Sequence, residues 1–291
     1  MSKIMLSIVI VGYKNTGITI DCIDSIYKHN DIGSQLEVIL VDNSPNHNVY
    51  QAITNRFDSV IGVRNNNNGF GAGNNLGATK AQGDYLLFLN PDTILIEPVF
   101  GFAIKEFEKH QNLSMFGVKL VSKELTRNMS FYMMNNGGII SSLITKFTNF
   151  FDAYVDGLMY ISGADMFVRH EDFIRCGKFD EKIFMYYEEP DLARRLRASG
   201  KKIAYYKNKK IIHLEGGTSS DSELTLRRRL DSAIYYNTKY NKNPKIVFLQ
   251  ELRLNYLKLI IFRFFGIGNI NKLNFNIKIL SEYVSRSGEL K

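Results

Sequence analysis

A chain of 291 residues that is 45% apolar and 23% charged can bury a full core, which excludes a disordered protein and fits one large α/β domain with an appendage. Two cysteines, Cys22 and Cys176, lack the spacing of a disulfide framework or a metal site and fit a reducing, cytoplasmic compartment. The net charge is +8, but ten Lys or Arg against three Glu from Lys239 onward place +7 of it in the tail; a near-neutral body argues against a nucleic-acid-binding protein and leaves the tail to meet anything anionic.

The opening "LSIVIV" (6–11) reads as a buried strand and not as a signal peptide, because only Lys3 precedes it and no small-residue cleavage site follows. Helical patterns at 19–29 and 49–57 alternate with apolar runs at 36–43 and 60–63, which predicts a parallel sheet with helices on its faces. The Asn/Gly stretch from Asn65 to Gly77 comes next, with a helix over 74–81, a buried strand at 85–89, a helix at 98–110 and a strand at 116–121. Residues 122–155 are rich in Ser, Asn and Met and carry no clear pattern. Order returns with a strand leading to a short helix over 160–177, a helix in the second half of 179–200, and a strand at 202–206. A helix over 224–240 precedes a basic, largely helical tail beyond Asn243, whose charges recur too often for a bilayer span.

In an open parallel sheet, ligands gather at the carboxyl ends of the strands. Asp42, after four apolar residues, either accepts hydrogen bonds from a nucleoside or is a turn-forming or helix-capping aspartate. The glycines of "NNNNGFGAGNNLG" permit positive φ and close approach to a ligand, and the asparagines offer amide donors and acceptors. A base and diphosphate against this loop, or a plain connection, both satisfy the composition; it matches neither a Rossmann nor a Walker pattern. Asp92 in "NPDT" either marks a turn or binds a divalent ion on a diphosphate, and its company with Asp42 and the Asn/Gly loop favours the ion. Glu188, Glu189 and Asp191 open a helix with Pro190 early in it, as a dipole-favoured start or as the source of a general base. His213, at the end of a strand, is structural or completes a metal site with Asp92.

"SIVIVGYKN", "VILVDNS", "NNGFGAGNNLGATKAQGDYLLFLNPDT", "GADMFVRHEDFIRCGKFDEKIFMYYEEPDLARRLRASGKKIAYY" and "IIHLEGGTSS", in this order, resemble the inverting glycosyltransferases of family 2, over roughly residues 4–220. The pairing of "NNGFGAGNN" with "NPDT" is similar to the bacterial rhamnosyltransferase-like branch that builds surface polysaccharides such as O-antigen. The resemblance implies an α/β fold of GT-A type, a mostly parallel sheet flanked by helices. Residues 1–222 form the nucleotide-sugar-binding and catalytic domain, and 223–291 a basic C-terminal helical extension.

It also implies roles for single residues. Asp42 meets the base or ribose, and Val11, Tyr13, Asn90 and the stretch Asn68 to Asn75, with Gly69, Phe70, Gly73 and Asn74, line the nucleotide-sugar pocket. Asp92, the retained aspartate of a D-x-D motif in which Asn90 replaces the first, holds Mg²⁺ or Mn²⁺ with His213. Glu189 stands where the family's E-D-x-D motif has its catalytic aspartate, with Asp191 and Glu188 as substitutes. The expected donor is dTDP-L-rhamnose, with a UDP-linked galactofuranose or other hexose as the alternative, and the acceptor is a lipid-linked oligosaccharide. Binding of a nucleotide sugar without turnover is the alternative outside enzymes. The tail, apolar at Leu252, Tyr256, Leu259, Ile260 and Phe264, is expected on the inner face of the cytoplasmic membrane, or packed on the domain or on another subunit of a homo-oligomer.

Overall fold

The computed structural model describes residues 3–134, 138–214 and 223–286. The chain runs β1 (Leu6–Gly12), α1 (Thr16–Lys28), β2 (Leu36–Asp42), α2 (Asn48–Arg56), β3 (Val60–Arg64), α3 (Phe70–Ala78), β4 (Tyr85–Leu89), β5 (Thr93–Leu95) and α4 (Phe100–Lys109). It continues through β6 (Leu113–Val121), β7 (Phe131–Met133), α5 (Gly138–Phe150), β8 (Met159–Ile161), β9 (Asp165–Arg169), α6 (His170–Arg175) and α7 (Glu188–Ala198). β10 (Lys202–His213), α8 (Glu223–Lys239), α9 (Pro244–Phe265) and α10 (Ile270–Arg286) close it.

Eight strands form one sheet in the order β3-β2-β1-β4-β9-β6-β10-β5, with β9 and β5 antiparallel to their neighbours. β1 and β4 are buried at every residue because helices cover both faces, which is why neither shows alternating polarity. One face packs α1, α2 and α4 through Ile23, Ile53 and Phe100; the other packs α3 and α7 through Ala78, Leu192 and Leu196. The topology brings the ends of β1, β2, β4 and β10 to one edge with the beginnings of β9 and β5, through the pairs Gly12–Asp42, Leu89–Asp165 and His213–Thr93.

Three elements differ from their sequence reading. α3 begins at Phe70, ahead of the expected 74–81, because Gly73 and Gly77 lie one helical turn apart and let the helix settle on β1. A Cβ on Gly73 would stand 3.0 Å from Val11 Cγ1, and one on Gly77 would overlap Val9. β10 reaches His213, beyond the expected 206. The patternless 122–155 contains β7 and the helix α5.

The described part of the C-terminal extension, 223–286, is three helices. Their core joins Leu230 and Tyr236 of α8, Phe248 of α9 and Leu280 of α10 to Ile183 and Tyr187, in the segment leading into α7. Ion pairs Arg229–Glu251 and Arg227–Glu282 tie α8 to α9 and α10. Leu252 and Leu259 turn inward, while Tyr256, Ile260 and Phe264 remain exposed.

Candidate active site

The first strand ends supply a rigid floor. Asp42 is fully buried, with Oδ1 accepting the Ser44 N–H and Oδ2 the Tyr50 N–H, both at 2.7 Å. This is the turn-forming role of an aspartate before a helix, here α2. Val11 faces Gly73 of α3 and Tyr13 is half-buried beside the Lys14 ammonium.

The Asn/Gly stretch divides into a loop and a clamp. Asn65 Nδ2 donates to Asn43 Oδ1 at 2.8 Å and Asn43 Nδ2 to the Gly69 carbonyl at 3.3 Å, which fixes the loop internally. Asn68 is exposed at its tip. Gly69 has φ +115° and a Cβ there would stand 2.5 Å from the Phe184 carbonyl oxygen, which also accepts the Phe70 N–H at 2.9 Å. The buried Asn74 amide donates to the Phe70 carbonyl within α3. Asn75 Nδ2 donates to the Phe179 carbonyl and to Glu181, while its Oδ1 accepts the Phe179 N–H. α3 therefore holds the 179–184 segment, and that segment delivers α7 to the sheet edge.

Asn90 and Asp92 lie in the turn between β4 and β5. The Asn90 N–H donates to the Ala164 carbonyl at 3.0 Å, anchoring the turn to the start of β9. Asp92 is buried, its Oδ1 has no hydrogen-bond partner, and His213 Nε2 approaches that oxygen to 3.4 Å. Asn90 Oδ1 also has no partner. The structure thus brings together Asp92 and His213, which lie 121 positions apart, as the register of β10 on β5 requires. Among the described residues no cluster of three or more His, Cys, Asp or Glu is arranged for a metal. The set fits a hard divalent ion that draws its remaining ligands from diphosphate and water: one buried carboxylate oxygen without a partner, one amide oxygen without a partner and an imidazole.

The three carboxylates that open α7 differ in their surroundings. Asp191 is fully buried and accepts from Arg195 Nε at 2.8 Å, Lys239 Nζ at 2.5 Å and Tyr240 Oη at 2.8 Å. Glu188 is buried and its Oε2 accepts the Tyr187 N–H; burial and the neighbouring Glu189 charge push its carboxyl well above the usual range. Glu189 is partly exposed, and burial of its carboxyl pushes it up to about 7. A carboxyl that titrates near neutrality is suited to general base work. The Glu189 carboxyl rests directly on Gly163, where any Cβ would overlap its Oε1.

Gly163 and Ala164 escaped the sequence reading, yet they join the two halves: one carries the Glu189 carboxyl and the next holds Asn90. The available signal was a glycine just before β9. Asp165, also unforeseen, is fully buried beside them, accepts the Val118 N–H at 2.6 Å, and burial raises its carboxyl well above the ordinary range.

A mostly parallel sheet with two antiparallel members and this polar edge is the GT-A architecture of glycosyltransferases. The structure is similar to GalNAc-T7 with UDP, GalNAc and Mn²⁺, at TM-score 0.59 and 14% identity over 97% of this chain and 57% of that one. It is also similar to S. aureus TarS residues 1–349 in complex with UDP, at TM-score 0.53 and 15% identity over 79% and 65%. The chain belongs to glycosyl transferase family 2, whose family model matches residues 7–175. Rhamnosyltransferase WbbL of Escherichia coli K12 is 29% identical over 164 residues, which is 50% of this chain and 60% of that relative's length.

Proposed function

We propose that the chain transfers a sugar, L-rhamnose from dTDP-L-rhamnose before UDP-linked hexoses, to a hydroxyl of a lipid-linked surface-polysaccharide intermediate with inversion at the anomeric carbon. Membership of family 2 and the likeness to a rhamnosyltransferase support the donor class. The observation that carries the reaction is the Glu189 carboxyl on Gly163, one residue from the Ala164 carbonyl that anchors the Asn90–Asp92 turn. A base and a charged-phosphate site thus share one junction.

The Glu189 carboxylate takes the proton of the acceptor hydroxyl; the hydroxyl oxygen bonds to the anomeric carbon as the bond to the diphosphate oxygen breaks, and that electron pair leaves with the diphosphate. Burial and the Glu189 charge push the Glu188 carboxyl well above the usual range, which disfavours a second negative charge beside the first. Asp191 positions α7 through its cation partners. Asp92 and His213, with Asn90 beside them, would hold Mg²⁺ or Mn²⁺. The chemistry such an ion supplies is neutralisation of charge on the leaving diphosphate. Asp42, Val11, Tyr13 and the loop to Asn68 and Gly69 form the floor on the nucleotide side.

We further assign residues 1–222 to the catalytic domain and 223–291 to an extension that lies against the inner face of the cytoplasmic membrane. No described helix is long and apolar enough to cross a membrane. Donor turnover by the purified protein, with and without EDTA, tests the reaction. The expected result is loss of transfer in EDTA, rescue by Mg²⁺ or Mn²⁺ in the wild type, and no rescue in Asp92→Ala. Undiminished transfer in EDTA overturns the metal role, and binding of every donor without turnover of any overturns the enzyme.

A further inference from the structure

A cavity of about 460 Å³ lies behind the start of α7, between that helix, α5, α8 and α9. Met134, Ile140, Ile144, Tyr187, Pro190 and Val247 line it, so its inner wall ends one residue from Glu189. Lys242 is the only charged residue among the described lining. Burial and the neighbouring Arg194 push its ammonium below the usual value.

The outer wall opens on an apolar surface. Ile140 and Ile144 line the cavity and are also 75% and 39% exposed, the first members of a ridge on α5 that continues through Leu143, Phe147 and Phe150. α9, packed beside α5, exposes Ile246, Ile260 and Phe264. Lys146, Arg253, Lys258 and Arg263 stand exposed on the same two helices. Apolar side chains with basic neighbours match a bilayer surface bearing anionic headgroups. Ile140 and Ile144 belong to both the cavity lining and this surface, so the two adjoin.

We infer that this cavity is an acceptor subsite, which holds the apolar chain of a phosphate-linked lipid where it joins its phosphate, with Lys242 facing the phosphate. The inference rests on the glycosyl-transfer reading for its biological ligand, and it adds a binding site that the donor chemistry does not require. The volume falls in the range that holds a small organic ligand, so a short stretch of chain fits and the remainder stays in the membrane.

Dodecyl phosphate below its micelle concentration is the probe, titrated calorimetrically into the full chain, with inorganic phosphate as control. Ser141→Trp from the α5 wall and Val247→Trp from the α9 wall fill the cavity from opposite sides. Unchanged thermal stabilisation by dTDP confirms folding of each variant. The expected result is wild-type binding of dodecyl phosphate, no comparable binding of phosphate, and at least about tenfold weaker binding in both variants. No wild-type binding, or equal binding by folded variants, overturns the inference. Donor turnover separates the two readings: lipid-dependent transfer that is identical in wild type and both variants keeps the reaction and removes the subsite. Cavity-dependent binding without turnover of any nucleotide sugar keeps the subsite and removes the reaction.

Discussion

A carboxylate serves as a base only if its charge is neither already neutralised nor too costly to form. Asp191 fails the first condition, since Arg195, Lys239 and Tyr240 surround it. Glu188 meets the second poorly, because burial and the neighbouring Glu189 charge push its carboxyl well above the usual range. Glu189 lies between them, pushed up to about 7. A folded-state value raised above the ordinary 4.5 means that its contribution to stability is full below pH 4.5 and is lost as pH rises through about 7. Base catalysis runs the other way, because only the ionised form accepts a proton. The turnover number is therefore predicted to rise with pH and reach half its plateau near pH 7, measured from initial rates between pH 5 and 9. A profile already flat at pH 5 would remove Glu189 from this role.

At the scale of elements, α9 carries the clearest division of labour. Its Phe248 and Leu259 are buried against α8 and α10, whereas Ile260, Phe264 and Phe265 are 66%, 82% and 65% exposed. Ile260→Glu with Phe264→Glu is predicted to abolish flotation with anionic liposomes while leaving the thermal midpoint within about 2 °C, since surface substitutions cost little stability. Flotation equal to wild type would move membrane contact elsewhere.

β1, β2 and β4 were legible in the sequence because uninterrupted apolar runs of strand length have few other uses. α3 was legible only in part, since glycines at 71, 73 and 77 suppress helix propensity and their reason, contact with β1 and the 179–184 segment, is tertiary. Asp92 and His213 could be paired from the strand-end rule together with the family resemblance. Gly163 could not, because its role is to leave room for a side chain 26 positions away.

Across the whole molecule, one edge of the sheet gathers every group that the proposed reaction needs, and the basic extension stands beside it. The extension shares a core with Ile183 and Tyr187, so it also braces the segment that enters α7. The proposed donor floor, the Asp92–His213 pair and Glu189 come from six separate parts of the chain, and Gly163–Ala164 links Glu189 to the turn that carries Asp92. At this junction we propose Glu189 as the base for sugar transfer. The most direct test is the initial rate of transfer from dTDP-L-rhamnose and a panel of UDP-sugars to a lipid-linked acceptor by wild type and Glu189→Gln, with donor affinity measured alongside. The expected result is transfer by the wild type and a drop of about 10²–10⁴-fold in the variant, with donor affinity within about twofold. Transfer by Glu189→Gln at the wild-type rate would contradict it.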